Sequence, residues 1–178
     1  MNKMKTNTES RIYVASLSAY NSGILHDVWI ELSGKDESEV WDEIKAMLAS
    51  CPTGCEAEEH AIHDFELGTV KISEYESIST ILKIVELLEK HGEAFEVAYA
   101  HFSDLDEAEE ALKENHQGVF KSIEDWAENF ADETDLLSAV PENLRVYFDF
   151  EKYANDLEMG GDIWSEAGSE GVHVFWSR

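Results

Sequence analysis

The sequence predicts an α+β protein built from two or three small lobes. Short β-rich segments lie towards both ends of the 178-residue chain, and helical periodicity dominates the middle. Hydrophobic residues make up 43% of the chain and include five tryptophans, which is enough to form folded cores. The formal net charge of −26 therefore does not indicate disorder.

The first 70 residues are predicted to form a ββαβ unit. The β-rich ranges 12–20 and 28–32 supply its first two strands, and a turn-forming Asn-Ser-Gly sequence separates them. A helix follows, because apolar residues then recur at helical spacing. It ends before Pro52, since proline disfavours helical geometry at the residue that precedes it. Residues 61–67 supply the third strand.

Residues 71–117 are predicted to form a helical middle domain. An apolar stripe over residues 77–88 predicts one helix that ends at Gly92, and residues 94–101 are expected to continue as helix, with a short strand as the alternative. A further helix begins after Asp104, where acidic residues in the first turn interact favourably with the helix dipole. Its exposed edge carries four acidic residues: Asp104, Glu107, Glu110 and Glu114.

Residues 118–178 are predicted to form a C-terminal α+β domain. A helix begins after Ser122, and two short helical pieces occupy residues 141–157. The last two strands, at residues 163–166 and 172–176, alternate around a glycine-containing turn and form a hairpin. The first of these helices turns four acidic residues outward: Glu124, Asp125, Glu128 and Asp132.

The negative charge is unevenly distributed along the chain. Residues 1–55 carry 8 acidic and 5 basic residues, a net −3, whereas residues 56–116 carry −13 and residues 117–178 carry −10. The acidic proteome of a halophile would spread such charge evenly, and the near-neutral first third argues against that explanation. A chain this acidic repels phosphates, so its overall field excludes binding to DNA, RNA or an anionic membrane. Basic partners are expected instead.

No catalytic motif stands out, and we expect no catalytic site, no metal and no cofactor. The phosphate-binding glycine motifs and the GxSxG nucleophile motif are absent. The best metal-ligand set is Cys51, Cys55, His60 and His63, whose residue types suit zinc. However, its two pairs are much closer together than the roughly 12-residue gap of a zinc finger, and the two histidines are expected on opposite faces of a strand. A metal-dependent enzyme is the alternative.

Six aromatic residues near the C-terminus raise the alternative of a stacking platform for nucleic-acid bases. They fall on predicted inner helical faces and lack neighbouring Lys or Arg, so packing in the core is the expected role. They are Trp126, Phe130, Tyr147, Phe148, Phe150 and Tyr153.

The acidic helix faces suggest an imitation of DNA. A single acidic helix face is usually just solvated, but these faces recur over two thirds of the chain, with few lysines to offset a repulsion of a few tenths of a kcal/mol per pair. Duplex DNA carries one charge per ~1.7 Å of axis, so the 26 net charges correspond to ~44 Å, or about 13 base pairs. Such a surface is able to inhibit a DNA-binding protein by filling its basic channel.

Several segments resemble one protein family. Residues 58–67, residues 73–78 and above all residues 140–157 (VPENLRVYFDFEKYANDL) are similar to the ArdA antirestriction proteins, as is the opening segment 11–17 (RIYVASL). The resemblance extends over nearly the whole chain from Arg11.

This resemblance implies a DNA mimic, encoded by mobile elements, that inhibits type I restriction-modification enzymes through their specificity and methyltransferase subunits. It also implies an elongated fold of about three domains (1–70, 71–117 and 118–178) that forms a homodimer through the last. Whether methylation is blocked along with restriction is left open, and an acidic partner that sequesters a basic nucleoid protein is the alternative. The late segment adds mimicry carboxylates at Asp149, Glu151, Asp156 and Glu158, and packing or dimer contacts at Leu144, Tyr147, Phe148 and Tyr153.

A cytoplasmic location is expected. Residues 1–10 are polar and are not followed by the apolar segment of a secretory signal. No apolar run approaches the roughly 20 residues of a membrane span.

Overall fold

A computed structural model describes residues 10–52 and 59–177 of the chain. The predicted α+β class is confirmed. The chain divides between Gly92 and Glu93 into two compact units, and each contains a three-stranded antiparallel sheet. The division into three domains stays a prediction. None of the helices in the described ranges is long and apolar enough to span a membrane.

The first unit contains the predicted ββαβ order with additions. Its sheet order is β2-β1-β3, so the first strand of the chain lies in the centre. Its elements are β1 (Arg11–Ser16), α1 (Leu17–Asn21), β2 (Asp27–Glu31), α2 (Glu37–Ala49), β3 (His60–Glu66) and α3 (Ile78–His91).

The strand predicted over residues 12–20 is too long. It ends at Ser16, whose Oγ accepts a hydrogen bond from the Ala19 N–H and caps α1. The helix predicted after the second strand is confirmed, and its start is fixed by a capping box. The Asp36 carboxylate accepts from the Glu39 N–H at 2.9 Å, and the Glu39 carboxylate accepts from the Asp36 N–H at 2.8 Å.

The second unit has sheet order β4-β6-β5. Helices α6 and α8 pack on each other and cover a core formed by Trp126, Ala127, Ala154, Ile163 and Val174. Its elements are α4 (Glu93–Phe102), α5 (Leu105–Glu110), a π-helical turn (Ala111–Asn115), β4 (His116–Phe120), α6 (Ile123–Glu133), α7 (Glu142–Arg145), α8 (Phe150–Gly160), β5 (Ile163–Ala167) and β6 (Val172–Trp176).

The predicted hairpin is confirmed, because β5 pairs antiparallel with β6 from Ile163–Trp176 to Ala167–Val172. Strand β4 was not predicted. Gln117 and Gly118, which lie on either side of the predicted domain boundary, are both within β4, where the pairing with β6 is irregular.

Two of the six aromatic residues predicted for inner helical faces, Tyr147 and Phe148, lie between α7 and α8 and not on a helix. Tyr147 follows the end of α7 and its side chain is 81% exposed. Trp126 is buried, and four others are half-buried: Phe130, Phe148, Phe150 and Tyr153.

Candidate functional site

The second unit carries most of the negative charge. Residues 93–178 hold 22 acidic and 5 basic residues, a net −17, whereas residues 1–92 hold 17 and 8, a net −9. None of the acidic residues of the second unit is buried, and 17 of them are exposed. The negative field is therefore presented to solvent chiefly by this unit.

We define the acidic surface as the twelve predicted mimicry carboxylates, all of which lie in the second unit. Ten are exposed and two, Asp125 and Glu158, are half-buried. They come from three places: α5 with the π-helical turn, helix α6, and helix α8. The predicted edge over residues 104–114 is not one regular helix, because the backbone changes to π geometry at Ala111.

Three carboxylates of the acidic surface line one groove. Glu124, Glu128 and Asp132 recur every four residues along α6, which places them on one side of the helix. Together with Asp135 they line a groove of about 430 Å³. The residues that follow α7 and begin α8 contribute to its lining: Val146, Phe148 and Phe150. The groove thus joins the α6 carboxylates to the late segment that resembles ArdA.

Arg145 also lines this groove, and its guanidinium already has partners. Its Nε donates to the Val140 carbonyl at 3.0 Å and an Nη donates to the Ser138 carbonyl at 3.4 Å. These two bonds fasten the connection between α6 and α7. Two N–H groups of the guanidinium are therefore used by backbone carbonyls within the chain.

Three carboxylates of the acidic surface also stabilise the fold by accepting hydrogen bonds within the unit. Asp104 caps α5, accepting from the Asp106 and Glu107 N–H groups at 3.0 Å each. Asp149 caps α8, accepting from the Lys152 N–H at 2.8 Å. The Glu158 carboxylate accepts from the N–H and the hydroxyl of Ser165, at 3.0 and 2.6 Å, and so joins α8 to β5. Removing these side chains affects stability as well as charge.

The four residues predicted for packing or dimer contacts fall into two classes. The Phe148 ring lies 4.8 Å from the Phe150 ring and 5.7 Å from the Tyr153 ring, so Phe148 and Tyr153 pack within the chain. Leu144 and Tyr147 are 50% and 81% exposed, and Val146 between them is 79% exposed. We call Leu144, Val146 and Tyr147 the apolar patch.

A polar cluster that the sequence did not reveal connects the start of α4 to the β5–β6 turn. Glu93 accepts a 2.6 Å hydrogen bond from the Ser169 N–H, and its second oxygen lies 3.5 Å from Nε2 of the buried His173. His173 Nδ1 is 3.3 Å from Nε2 of His116. The Ser169 N–H, more than the histidine, holds the pKa of Glu93 below its ordinary value. We call Glu93, Ser169 and His173 the Glu93 clasp.

The proposed metal-ligand set is only partly described, because Cys55 lies outside the described residues. Cys51 Sγ lies 3.7 Å from Ser16 Oγ. The His60 ring contacts Trp41, and the His63 ring contacts Tyr20. Burial lowers the pKa of His60. Over residues 10–52 and 59–177, no three His, Cys, Asp or Glu side chains are grouped so that they could hold a metal ion.

Comparison with known proteins identifies the family of this chain. No curated protein was found to match the chain. The sequence pattern of the family described as antirestriction protein (ArdA) matches residues 12–170, a range that contains the whole acidic surface and most of both units. The chain therefore belongs to the ArdA family of antirestriction proteins, which target restriction enzymes as inhibitors and are not themselves enzymes.

Proposed function

We propose that the protein is a DNA mimic that occupies the DNA-binding groove of a type I restriction-modification enzyme, formed by its specificity and methyltransferase subunits, and so blocks restriction. Family membership supports the antirestriction role. The acidic surface supports mimicry, because a groove built to bind phosphates attracts any surface of similar negative charge density.

The observation that carries this proposal is the net −17 of the second unit with all of its acidic residues at least partly accessible. Carboxylates on successive helical turns lie about 5–6 Å apart. They can therefore engage several Lys and Arg side chains of one groove at once. Attraction of this kind accelerates encounter and weakens as salt is added.

The apolar patch supports a homodimer. The apolar patch (Leu144, Val146 and Tyr147) is exposed in the most acidic unit of the chain. Exposed apolar patches with a polar rim are typical of protein–protein interfaces. A second copy that covers the patch would remove this surface from water and double the imitated charge. We place this dimer in the cytoplasm, where an inhibitor encoded by a mobile element would protect incoming DNA.

The test is competition for the restriction-modification enzyme. We expect the purified protein to prevent loading of the enzyme on labelled DNA at low salt and to lose this effect as salt rises, without binding DNA itself. Restriction and methylation are scored in parallel, which determines whether both are blocked. Normal loading at low salt would contradict the proposal. Displacement of a basic nucleoid protein from DNA, with no effect on the restriction enzyme, would favour the sequestering role.

A matched pair of variants tests whether the position of the charge matters. The triple variant Glu124→Gln, Glu128→Gln and Asp132→Asn removes three charges from the groove along α6. The control triple, Asp42→Asn, Glu59→Gln and Glu89→Gln, removes three exposed charges from the first unit and gives the same net charge.

We expect the α6 triple to weaken inhibition roughly three- to thirtyfold, the effect of losing three exposed ion pairs. The control triple should have a much smaller effect, through the long-range field alone. Equal losses in the two variants would show that only net charge matters. Complete loss on changing a single surface carboxylate would instead indicate a specific site.

A further inference from the structure

A second cavity in the second unit combines aromatic rings with carboxylates. It has a volume of about 360 Å³ and lies beside the β5–β6 hairpin. Helix α4 contributes His101 and Phe102, α5 contributes Glu107 and Glu110, and the hairpin contributes Trp164 and Trp176. We call this cavity the aromatic pocket.

The two tryptophan rings of the aromatic pocket pack against other aromatic rings of the second unit. Trp164 lies between two other rings in a stack, with centroid distances of 4.1 Å to His101 and 3.9 Å to the buried Phe175 and interplanar angles of 8° and 2°. Trp176 contacts Trp126 and Phe130 of α6 edge to face, at 5.7 and 5.3 Å. These contacts fix both indoles before any ligand arrives, which lowers the entropy cost of binding.

The charge of the aromatic pocket is negative. Glu107 and Glu110 are exposed residues one helical turn apart on α5. Among the described residues that line the pocket, none is Lys or Arg. An apolar ligand would offer these carboxylates no hydrogen-bond donor, and a nucleic-acid base would bring its phosphate against them. The ligand that satisfies both features is a cation with a flat face.

We propose that the aromatic pocket binds the guanidinium of an arginine side chain presented by a protein partner. The His101 and Phe175 rings cover both faces of Trp164. The guanidinium would therefore stack on Trp176, and its donors form a planar fork that matches a carboxylate, whereas a lysine ammonium is a compact and strongly hydrated charge. This inference rests on the proposed function, because a groove that binds phosphates supplies such side chains. The pocket goes beyond mimicry, since a phosphate backbone offers no aromatic face.

The experiment measures binding of three blocked tripeptides to the full chain by the tryptophan indole N–H signals in NMR. The peptides are acetyl-Gly-X-Gly-amide with X as arginine, as lysine, or as citrulline, which has the shape of arginine without its charge. We expect arginine to shift the signals of Trp164 and Trp176 and to bind about threefold or more tighter than the other two. The indoles of Trp29 and Trp41, in the first unit, serve as an internal reference.

A double variant and its control locate the site. Glu107→Gln with Glu110→Gln should weaken arginine binding about fivefold, while Glu133→Gln with Glu142→Gln, which removes two exposed charges outside the pocket, should leave it unchanged. Equal binding of the three peptides, shifts spread over all five indoles, or no effect of the Glu107 and Glu110 changes would each overturn the proposal.

The same proteins separate this inference from the proposed function. A protein that blocks the restriction enzyme normally but shows no selective arginine binding would retain the DNA-mimic role and overturn the pocket. A protein that binds the arginine peptide selectively but fails to block DNA loading would retain the pocket and overturn the DNA-mimic role.

Discussion

At the scale of single residues, Asp104 is both an exposed charge and the N-cap of α5. Its carboxylate accepts two backbone hydrogen bonds, from the Asp106 and Glu107 N–H groups. An asparagine side chain accepts such bonds without carrying charge. The contributions of Asp104 to stability and to charge can therefore be separated by the choice of substitution.

We expect Asp104→Asn to change the free energy of unfolding by only a few tenths of a kcal/mol, and Asp104→Ala to lower it by about 1 kcal/mol. Urea unfolding of the full chain measures both. Because each variant loses the same charge, inhibition of the restriction enzyme should fall equally when both are folded. Equal destabilisation by the two substitutions would mean that the cap contributes nothing.

Glu93 contributes stability that depends on pH. Its folded-state pKa is lower than the ordinary value of 4.5, chiefly because the Ser169 N–H donates to its charged form. A carboxyl group with a depressed folded pKa stabilises the protein above its unfolded pKa, and this stabilisation is lost as the pH falls through the folded pKa. The Glu93 clasp should therefore be complete at neutral pH and lost in acid.

We expect Glu93→Gln to lower the free energy of unfolding at pH 7 relative to the unmodified protein, and the difference between them to shrink as the pH falls below about 4.5. Denaturant unfolding at a series of pH values measures this difference. Gly168→Ala tests the same cluster by steric disruption, since the added Cβ would lie 2.7 Å from a Glu93 carboxylate oxygen and 2.8 Å from His173 Nε2. A difference that stays constant down to pH 3 would contradict the assignment.

At the scale of elements, the β5–β6 turn is pressed against the end of β4. Gly171 has φ +153°, and a Cβ there would lie 2.2 Å from the Phe120 carbonyl oxygen. That contact is with backbone and cannot be relieved by a side-chain rotation. The hairpin can therefore approach β4 only because residue 171 is glycine.

We expect Gly171→Ala to destabilise the second unit by about 2 kcal/mol or more, through strain and loss of the contact with β4. Gly161→Ala is the matched control: Gly161 ends α8 with φ +78°, but its Cβ would meet nothing within 4 Å, so about 1 kcal/mol is expected. Urea unfolding followed by tryptophan fluorescence compares them. Equal effects would show that strain in the backbone, without the clash, explains both.

Elements set by local signals were predictable from the sequence, and those set by distant partners were not. Asp104, Ser122 and Gly92 mark helix ends by their own chemistry, and each lies at the end that was predicted. Strand β4 depends on pairing with β6 more than 50 residues later, and a sequence with Gly118 in its middle carries little strand signal of its own.

The candidate site follows the same rule. The acidic residues of α6 are visible as a helical face, whereas the groove they line depends on where the chain places residues 145–150. The Glu93 clasp joins the Glu93 side chain to a backbone N–H 76 residues later and to a side chain 80 residues later, and no spacing in the sequence predicts it. The apolar residues of the late segment could be recognised in the sequence. Their exposure could not be predicted, because it depends on which of them the rest of the unit packs against.

At the scale of the whole molecule, the most acidic unit also exposes the apolar patch. Tyr147 at its end is 81% exposed, so replacing it removes almost no contact within the chain. Tyr75 in the first unit is 69% exposed and offers the same residue type outside the patch. The pair makes it possible to test the homodimer without disturbing the fold.

We expect Tyr147→Lys to convert a dimer to a monomer in sedimentation at micromolar concentration, because it places a charge in an apolar contact. Tyr75→Lys should leave the dimer intact, and both variants should unfold like the unmodified protein. An unmodified protein that sediments as a monomer, or a Tyr147→Lys variant that stays dimeric, would contradict the homodimer proposal.

During synthesis, the central strand of the sheet is made first in one unit and last in the other. In the first unit the central strand β1 is made first, and β2 and β3 can add to it as they leave the ribosome. In the second unit the central strand β6 is made last, and both β4 and β5 pair with it. The most acidic part of the protein must therefore wait, with its sheet unformed, until residues 172–176 have been synthesised.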